Sequence, residues 1–179
     1  MSHDIDIGTG TPAAVRIGGV DKLSLLHSLR LHGVQLNRAA DVLFQHRHFT
    51  TLDQPHLVHI AYLSVADLGF SEGATYQQIA ARAEEAGLTE CPLELGPHLR
   101  TQFPGQLEAP AIAPAPIRGA PHGSITIASR PLDDSELTPK GFYLRRLDGM
   151  LWLRGYWSPP EHVWAASDIL VFSRNSTAI

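Results

Sequence analysis

"YLRRLDGMLWLRGYW", Tyr143–Trp157, is the stretch whose reading decides the fold. Asp148-Gly149 sits between two apolar runs. Both central residues of a type I′ turn need positive φ, so this pair is a strong hairpin signal. The turn sets a register in which Leu147 faces Met150, Arg146 faces Leu151, Arg145 faces Trp152, Leu144 faces Leu153 and Tyr143 faces Arg154. Side chains alternate along a strand. One face therefore carries Phe142, Leu144, Leu151 and Leu153 and belongs to the core. The other carries Tyr143, Arg145, Trp152 and Arg154, with Leu147 and Met150 near the tip.

Each arginine of that second face stands across the ladder from an aromatic ring. Cross-strand pairs contribute roughly 0.2–1 kcal/mol each, and exposed cation–π contacts about 0.5–1 kcal/mol. An amphipathic solvent face accounts for the pattern on these terms alone. The functional reading is a ligand-binding platform of Tyr143, Arg145, Trp152 and Arg154, where rings stack and guanidinium forks grip a carboxylate or phosphate. Trp157, Glu161, His162 and Trp164 follow closely enough to wall it.

Outward from the hairpin, "GSITIAS" before it and "DILVFSR" after it read as strands, and "HLVHIAYLSV" (His56–Val65) as a strand apolar on both faces. Helices precede most of them. Asp21 can cap "KLSLLHSLRLH", which has Leu23, Leu26 and Arg30 on one stripe, Leu25 and Leu29 beside it, and Gly33 as its stop. Asn37 caps "RAADVLFQHRHF", with Val42, Leu43 and Phe44 inward, and the short link suggests an antiparallel helix pair. Thr75 and Gln78 form a T-x-x-Q capping box for a helix ending near Gly87. "LTECPLELGPHLRTQF" reads as a short helix with Pro92 in its first turn and a kink at Pro97.

Helices first and strands later predict one α+β domain over 1–179, its N-terminal helices packed on one face of a mainly antiparallel C-terminal sheet. Residues 1–20 read as a flexible, extended arm. Residues 104–121, with five prolines, read as a connector between the helical and β-rich parts.

The composition excludes several classes. The 179 residues carry 14 Lys+Arg against 18 Asp+Glu, for a net charge of −4, and residues 61–110 hold only Arg82 and Arg100 as bases. Phosphate-backbone binding needs a basic surplus, so no nucleic-acid partner is expected. "GATYQQIAARAEEAGLT" has the look of the first helix of a helix-turn-helix, but the following segment carries prolines and one arginine where recognition needs donors. Cys91 alone permits neither an intramolecular disulfide nor a thiolate zinc cluster. The N-terminus has no basic segment followed by an apolar one, and no apolar run reaches about 18 residues, so a cytoplasmic protein without membrane contact is expected. Phosphate-loop, dinucleotide and nucleophile-elbow motifs are absent.

Among ten histidines, His46, His48, His56 and His59 fall within fourteen residues. Positions two apart on a helix or three apart on a strand do not share a face, so no metal and no cofactor are expected. Glu94 and His98 are four apart and share a helical face, with Arg100 just beyond. They are the candidate catalytic set, an acid–base pair with an anion-holding arginine.

The segments "CPLELGPHLR" and "GFYLRRLDGMLWLRGYW", together with "ADLGFSEGATYQQIAARAEEAGL" and "EHVWAASDILVF", resemble a family of small uncharacterised bacterial proteins over roughly 57–172. That resemblance implies a bacterial origin and no particular activity. Two functional expectations result. The first is a non-enzymatic binding or regulatory protein of accessory, antitoxin or immunity type, using its Arg/aromatic face on another protein or a small anionic ligand. The alternative is a small enzyme using Glu94, His98 and Arg100 on a small anionic substrate, with Arg145 and Arg154 holding the anion.

Overall fold

A computed structural model of the chain describes residues 5–109 and 119–174. Residues 1–4 of the expected arm and 110–118 of the expected connector lie outside the described residues. In chain order the elements are β1 (Ala14–Ile17), α1 (Lys22–Leu31), β2 (Gln35–Leu36), α2 (Arg38–Gln45), β3 (His56–Ser64), β4 (Ala74–Thr75), α3 (Tyr76–Glu85) and β5 (Leu88–Thr89). They continue with α4 (Leu95–Gln102), β6 (Ile125–Ile127), β7 (Gly141–Leu147), β8 (Met150–Tyr156), β9 (Val163–Trp164) and β10 (Ile169–Arg174).

The protein is a mixed α/β structure built on an eight-stranded, mostly antiparallel sheet in the order β1-β3-β10-β6-β7-β8-β2, with β5 also on β10. Two neighbours are parallel, β6 with β10 and β2 with β8. β4 and β9 form a separate antiparallel pair. The hairpin has the register that Asp148-Gly149 dictates, from Leu147↔Met150 to Tyr143↔Arg154 and on to Gly141↔Tyr156. Both turn residues have positive φ, 53° and 73°.

Strand alternation sorts side chains into two cores. Val171, Ile60, Leu144 and Leu153 face one way, onto Leu25 and Leu29 of α1, Leu43 and Phe44 of α2, and Leu95 and Leu99 of α4. Leu170, Phe172 and Ala61 face the other way, onto Ile79 and Ala83 of α3, with Trp164 beside them. The helices do not all gather on one face as the sequence suggests. The second half of β3 is covered on both sides, with Ile60 and Ala61 buried in opposite cores, whereas Leu57 in its first half is exposed.

Local signals explain the starts of α1, α2 and α3, whereas α4 has no side-chain cap. Asp21 accepts from Ser24 N–H at 2.7 Å, Asn37 accepts from Ala40 N–H at 3.0 Å, and the Thr75/Gln78 capping box is complete. Three details differ from expectation. First, α1 packs on α4, and α2 packs on β8, so the two are not a helical hairpin. Gln35–Leu36 between them instead adds a strand to β8. On α1, Leu25 and Leu29 are the inward stripe, and Leu23 is 76% exposed.

Second, α4 begins only at Leu95, so Pro97 is its third residue and causes no kink. A helix leaves its first N–H groups unbonded anyway, and proline is tolerated there. The helix also approaches the sheet closely at Gly96, where a Cβ would lie 3.0 Å from Phe142. Third, the extended arm contributes β1, an edge strand paired with β3 from Ala14↔His59 to Ile17↔His56. Val15 and Ile17 are buried, which is enough to order it.

Candidate functional site

The catalytic set separates in space. Glu94 is only 2% exposed, and its Oε1 accepts from Leu52 N–H at 3.0 Å. Its Oε2 lies 3.6 Å from His98 Nε2 and has no hydrogen-bond partner. His98 Nε2 accepts from Gly18 N–H at 3.2 Å, which places the ring proton on Nδ1. The pair thus holds two loops against α4, and those loops are joined to each other by Gly19 N–H donating to Leu52 O at 2.8 Å. Arg100 is 0% exposed and points away from both, into the core. Two residues along a helix is about 200° of rotation. Its guanidinium donates to Gln106 Oε1 and to Phe103 O. Burial first, and then the nearby Arg146 charge, lower its pKa to about 10.

Cys91 offers no nucleophile. Burial and then the Glu90 charge push its thiol up to about 12, and Sγ–H is aimed at Val171 O, 3.5 Å away. His46 Nε2 lies 3.1 Å from Asp133 Oδ2, and His48 Nδ1 lies 3.2 Å from Leu132 O. His56 and His59 are on β3 opposite Ile17 and Ala14. Among the described residues no group of three His, Cys, Asp or Glu side chains is placed to hold a metal ion. No helix among them is long and apolar enough to cross a membrane.

The hairpin's second face divides in two. Toward the tip, Arg145, Trp152 and Arg154 are half-buried. Arg154 lies over the Trp152 ring with its guanidinium carbon 5.0 Å from the centroid, an i,i+2 neighbour on one strand rather than a ladder partner. Arg145 Nε donates to His122 O at 3.0 Å. Toward the base, Tyr143 is only 7% exposed, and its ring centroid is 6.4 Å from that of Tyr156. The four residues therefore do not form one open platform. Tyr143 instead begins a chain of inclined rings: Tyr156 and Trp164 are 5.6 Å apart at 85°, and Trp164 and Tyr76 are 6.4 Å apart at 53°.

This ring chain lines a groove in two parts. The larger part is a cavity of about 520 Å³ walled by Tyr76, Ala80, Ser129, Pro131, Tyr156 and Pro159, with Asp133, Asp134 and Lys140 also lining it. The smaller, about 200 Å³, is lined by Tyr143, Trp157, His162 and Trp164, and by Ala120 and Pro121. Tyr156 and Ser158 line both. The total falls in the range of ligand sites, about 300–1,000 Å³.

Two polar atoms of the walls are buried without a hydrogen-bond partner: Ser129 Oγ in the larger part and Trp164 Nε1 in the smaller. A buried polar atom left unpaired costs about 1–3 kcal/mol, and both atoms are sealed from solvent behind the cavity walls. The phenols stay protonated. Burial raises the pKa of Tyr156 and then the Glu90 charge adds to it; for Tyr76, burial is again the largest cause. Tyr76 Oη donates to Glu90 Oε1 at 2.8 Å, with Ser129 O at 3.1 Å, and Glu90 Oε2 receives Arg130 Nε at 3.2 Å. That chain fixes the wall from below.

Of this groove, the sequence points to Tyr143 and, flanking it, Trp157, His162 and Trp164. Tyr156 was within reach, because it continues the alternation Trp152, Arg154, Tyr156. Tyr76, Ser129 and Pro131 carry no local signal; the topology alone brings them together. No family model, no curated protein and no solved structure matches this chain.

Proposed function

We propose that the chain is a non-enzymatic binding protein of accessory or regulatory kind, and that the Tyr76–Tyr156–Trp164 groove takes up an extended segment of a partner protein. The observation that carries this reading is the aromatic and proline lining, Tyr76, Tyr156 and Pro159 in the larger cavity and Tyr143, Trp157 and Trp164 in the smaller, with the polar side chains of Asp134, Lys140 and Ser158 among it. An apolar lining with a few placed polar groups is what a specific site needs: area for affinity, donors for orientation. The acid–base alternative draws less support, since His98 Nε2 and Glu94 Oε1 are each engaged by a backbone N–H.

The test is selection of a displayed random peptide library against the protein, with counter-selection on Ala80→Arg. Ala80 is a half-buried residue of α3 that lines the larger cavity, and arginine is as good a helix former as most. Sequences enriched on the native protein and lost on Ala80→Arg are the expected result. No enrichment, or enrichment indifferent to Ala80→Arg, sinks the reading.

A further inference from the structure

We infer that Arg145 and Arg154 form a binding site for a phosphate monoester, a doubly charged oxyanion held between two guanidinium forks on the second face of the hairpin. The site lies nearer the hairpin tip than the aromatic groove and stands independently of the groove reading.

The first observation is placement. Arg145 and Arg154 lie on neighbouring strands, in the register Tyr143↔Arg154 and Arg145↔Trp152. They are therefore diagonal neighbours on one face, rooted roughly 7–8 Å apart. Side chains as long as arginine's reach a common point from that separation. Both charges are also felt by one phenol. Burial raises the pKa of Tyr143, and Arg154 and then Arg145 act against it.

The second is the want of a counter-ion. The strands β2, β6, β7 and β8 contain no aspartate or glutamate, so they offer no carboxylate on either face. Arg146, which points the other way, has Glu108 Oε2 at 3.1 Å. Among the described residues neither Arg145 nor Arg154 has an acidic partner. Two like charges at this spacing repel, and an anion between them attracts both.

The third is the way each fork is held. Arg145 is anchored through Nε, which donates to His122 O at 3.0 Å. Arg154 is anchored by stacking, its guanidinium carbon 5.0 Å from the centre of the Trp152 ring. Both side chains are half-buried, yet among the described residues their terminal nitrogens are neither bonded nor sealed from solvent. Each fork presents its outer N–H groups from a fixed position, so little side-chain freedom is left to lose on binding.

These features select the ligand. A carboxylate matches one fork and neutralises one charge. A phosphate monoester carries about −1.5 to −2 charge at pH 7 and three strong acceptor oxygens, which match both forks.

The experiment is isothermal titration calorimetry of the full chain at constant ionic strength. The probes are phenyl phosphate, benzoate, and a glycine–serine peptide containing one phosphotyrosine, with its unphosphorylated form as the blank. Saturable binding of phenyl phosphate is expected, at least about tenfold tighter than that of benzoate. Arg145→Gln and Arg154→Gln should each weaken it at least about tenfold, with circular dichroism unchanged. Arg145→Lys, which keeps the charge and loses the fork, should fall between wild type and Arg145→Gln. Arg146→Gln, on the opposite face, should leave binding unchanged. The peptide identifies the source of the phosphate. Binding more than about tenfold tighter than phenyl phosphate assigns it to a partner protein, and equal or weaker binding assigns it to a small molecule. No saturation by about 10 mM phenyl phosphate, equal affinity for benzoate, or binding indifferent to both glutamine variants overturns the inference. An equal loss in Arg146→Gln overturns it too, since a general charge effect then accounts for the binding.

Discussion

Asn37 bonds Gly155 through both ends of its side-chain amide. Nδ2 donates to Gly155 O at 2.9 Å, and Gly155 N–H donates to Oδ1 at 2.8 Å. The same Oδ1 accepts from Ala40 N–H and caps α2. One side chain therefore starts the helix and docks it on β8. The docking is tight: a Cβ on Gly155 would lie 2.6 Å from the carbonyl carbon of Ala39.

Asn37→Ala should lose about 2–4 kcal/mol in urea denaturation. A lost cap costs about 1 kcal/mol, and the buried Gly155 groups left unpaired account for the rest. Asn37→Asp keeps both acceptor roles but sets a carboxylate against Gly155 O. It should lie between wild type and Asn37→Ala. Equal losses for the two variants would mean that the bond to Gly155 O, not the cap, dominates.

Arg154 and Trp152 answer whether the hairpin's arginines are structural. The stacked pair is half-buried, so Arg154→Gln should cost about 0.5–1 kcal/mol by thermal melting. Arg145→Gln removes one hydrogen bond at the surface, to His122 O, and should cost less. The double variant then loses about 1 kcal/mol. An unchanged double variant would release these arginines from a stability role and make them candidates for partner contact.

The parts of the fold legible in the sequence are those fixed by neighbours along the chain. Asp148-Gly149 sets seven paired positions through turn geometry, and Asp21, Asn37 and Thr75/Gln78 set helix starts through single hydrogen bonds. What escaped reading depends on distant partners. β2, β4, β5 and β9 are two residues each and exist only because another strand is alongside. β1 is held on its outer side by Gln102, which accepts from Arg16 N–H at 3.1 Å and donates to Arg16 O at 2.8 Å across 86 residues of chain. The groove is the same case: the Tyr76 hydroxyl at the start of α3 reaches Ser129 O beyond the end of β6, 53 residues away, and nothing near either residue reports it.

Two aspartates should titrate in opposite senses. Asp133 is held below its ordinary value of 3.8 by the Thr138 hydroxyl first, then by the Ser135 N–H and His46. A depressed carboxylate contributes stability that is present above its unfolded value and lost as pH falls through the folded one. Asp133→Asn should therefore be less stable than wild type at neutral pH, with the gap closing in acid. Asp168 is raised by burial, which outweighs the Ala120 and Ala165 N–H groups and the nearby His162 and His122. A raised carboxylate contributes stability below its unfolded value that is lost as pH rises through the folded one. Asp168→Asn should match or exceed wild type at neutral pH and lose that advantage in acid. Denaturant midpoints measured across pH 3–7 for both variants check the two signs.

Cys91 should report opening of the core. With its thiol pushed up to about 12 and buried, it should resist iodoacetamide at pH 8 in the native protein and react fully in denaturant. A labelling rate that tracks global unfolding would tie β5 and the start of α4 to the cooperative core. Fast native labelling would show that this segment opens independently.

Glu94 decides between a loop clamp and an acid–base group. As a clamp, its essential atom is Oε1, which accepts from Leu52 N–H; glutamine can keep that bond. The other oxygen faces the lone pair of His98 Nε2 at 3.6 Å, and an amide N–H there replaces a repulsive contact with an attractive one. Glu94→Gln should therefore melt at or above the wild-type temperature. Glu94→Ala, which leaves Leu52 N–H unpaired, should lose about 1–3 kcal/mol. His98→Gln should be tolerated better than His98→Ala, because it can still accept from Gly18 N–H. Melting alone does not separate a clamp from a catalytic pair, and turnover does: in a catalytic pair, turnover of an anionic substrate would vanish in both glutamine variants with the fold intact.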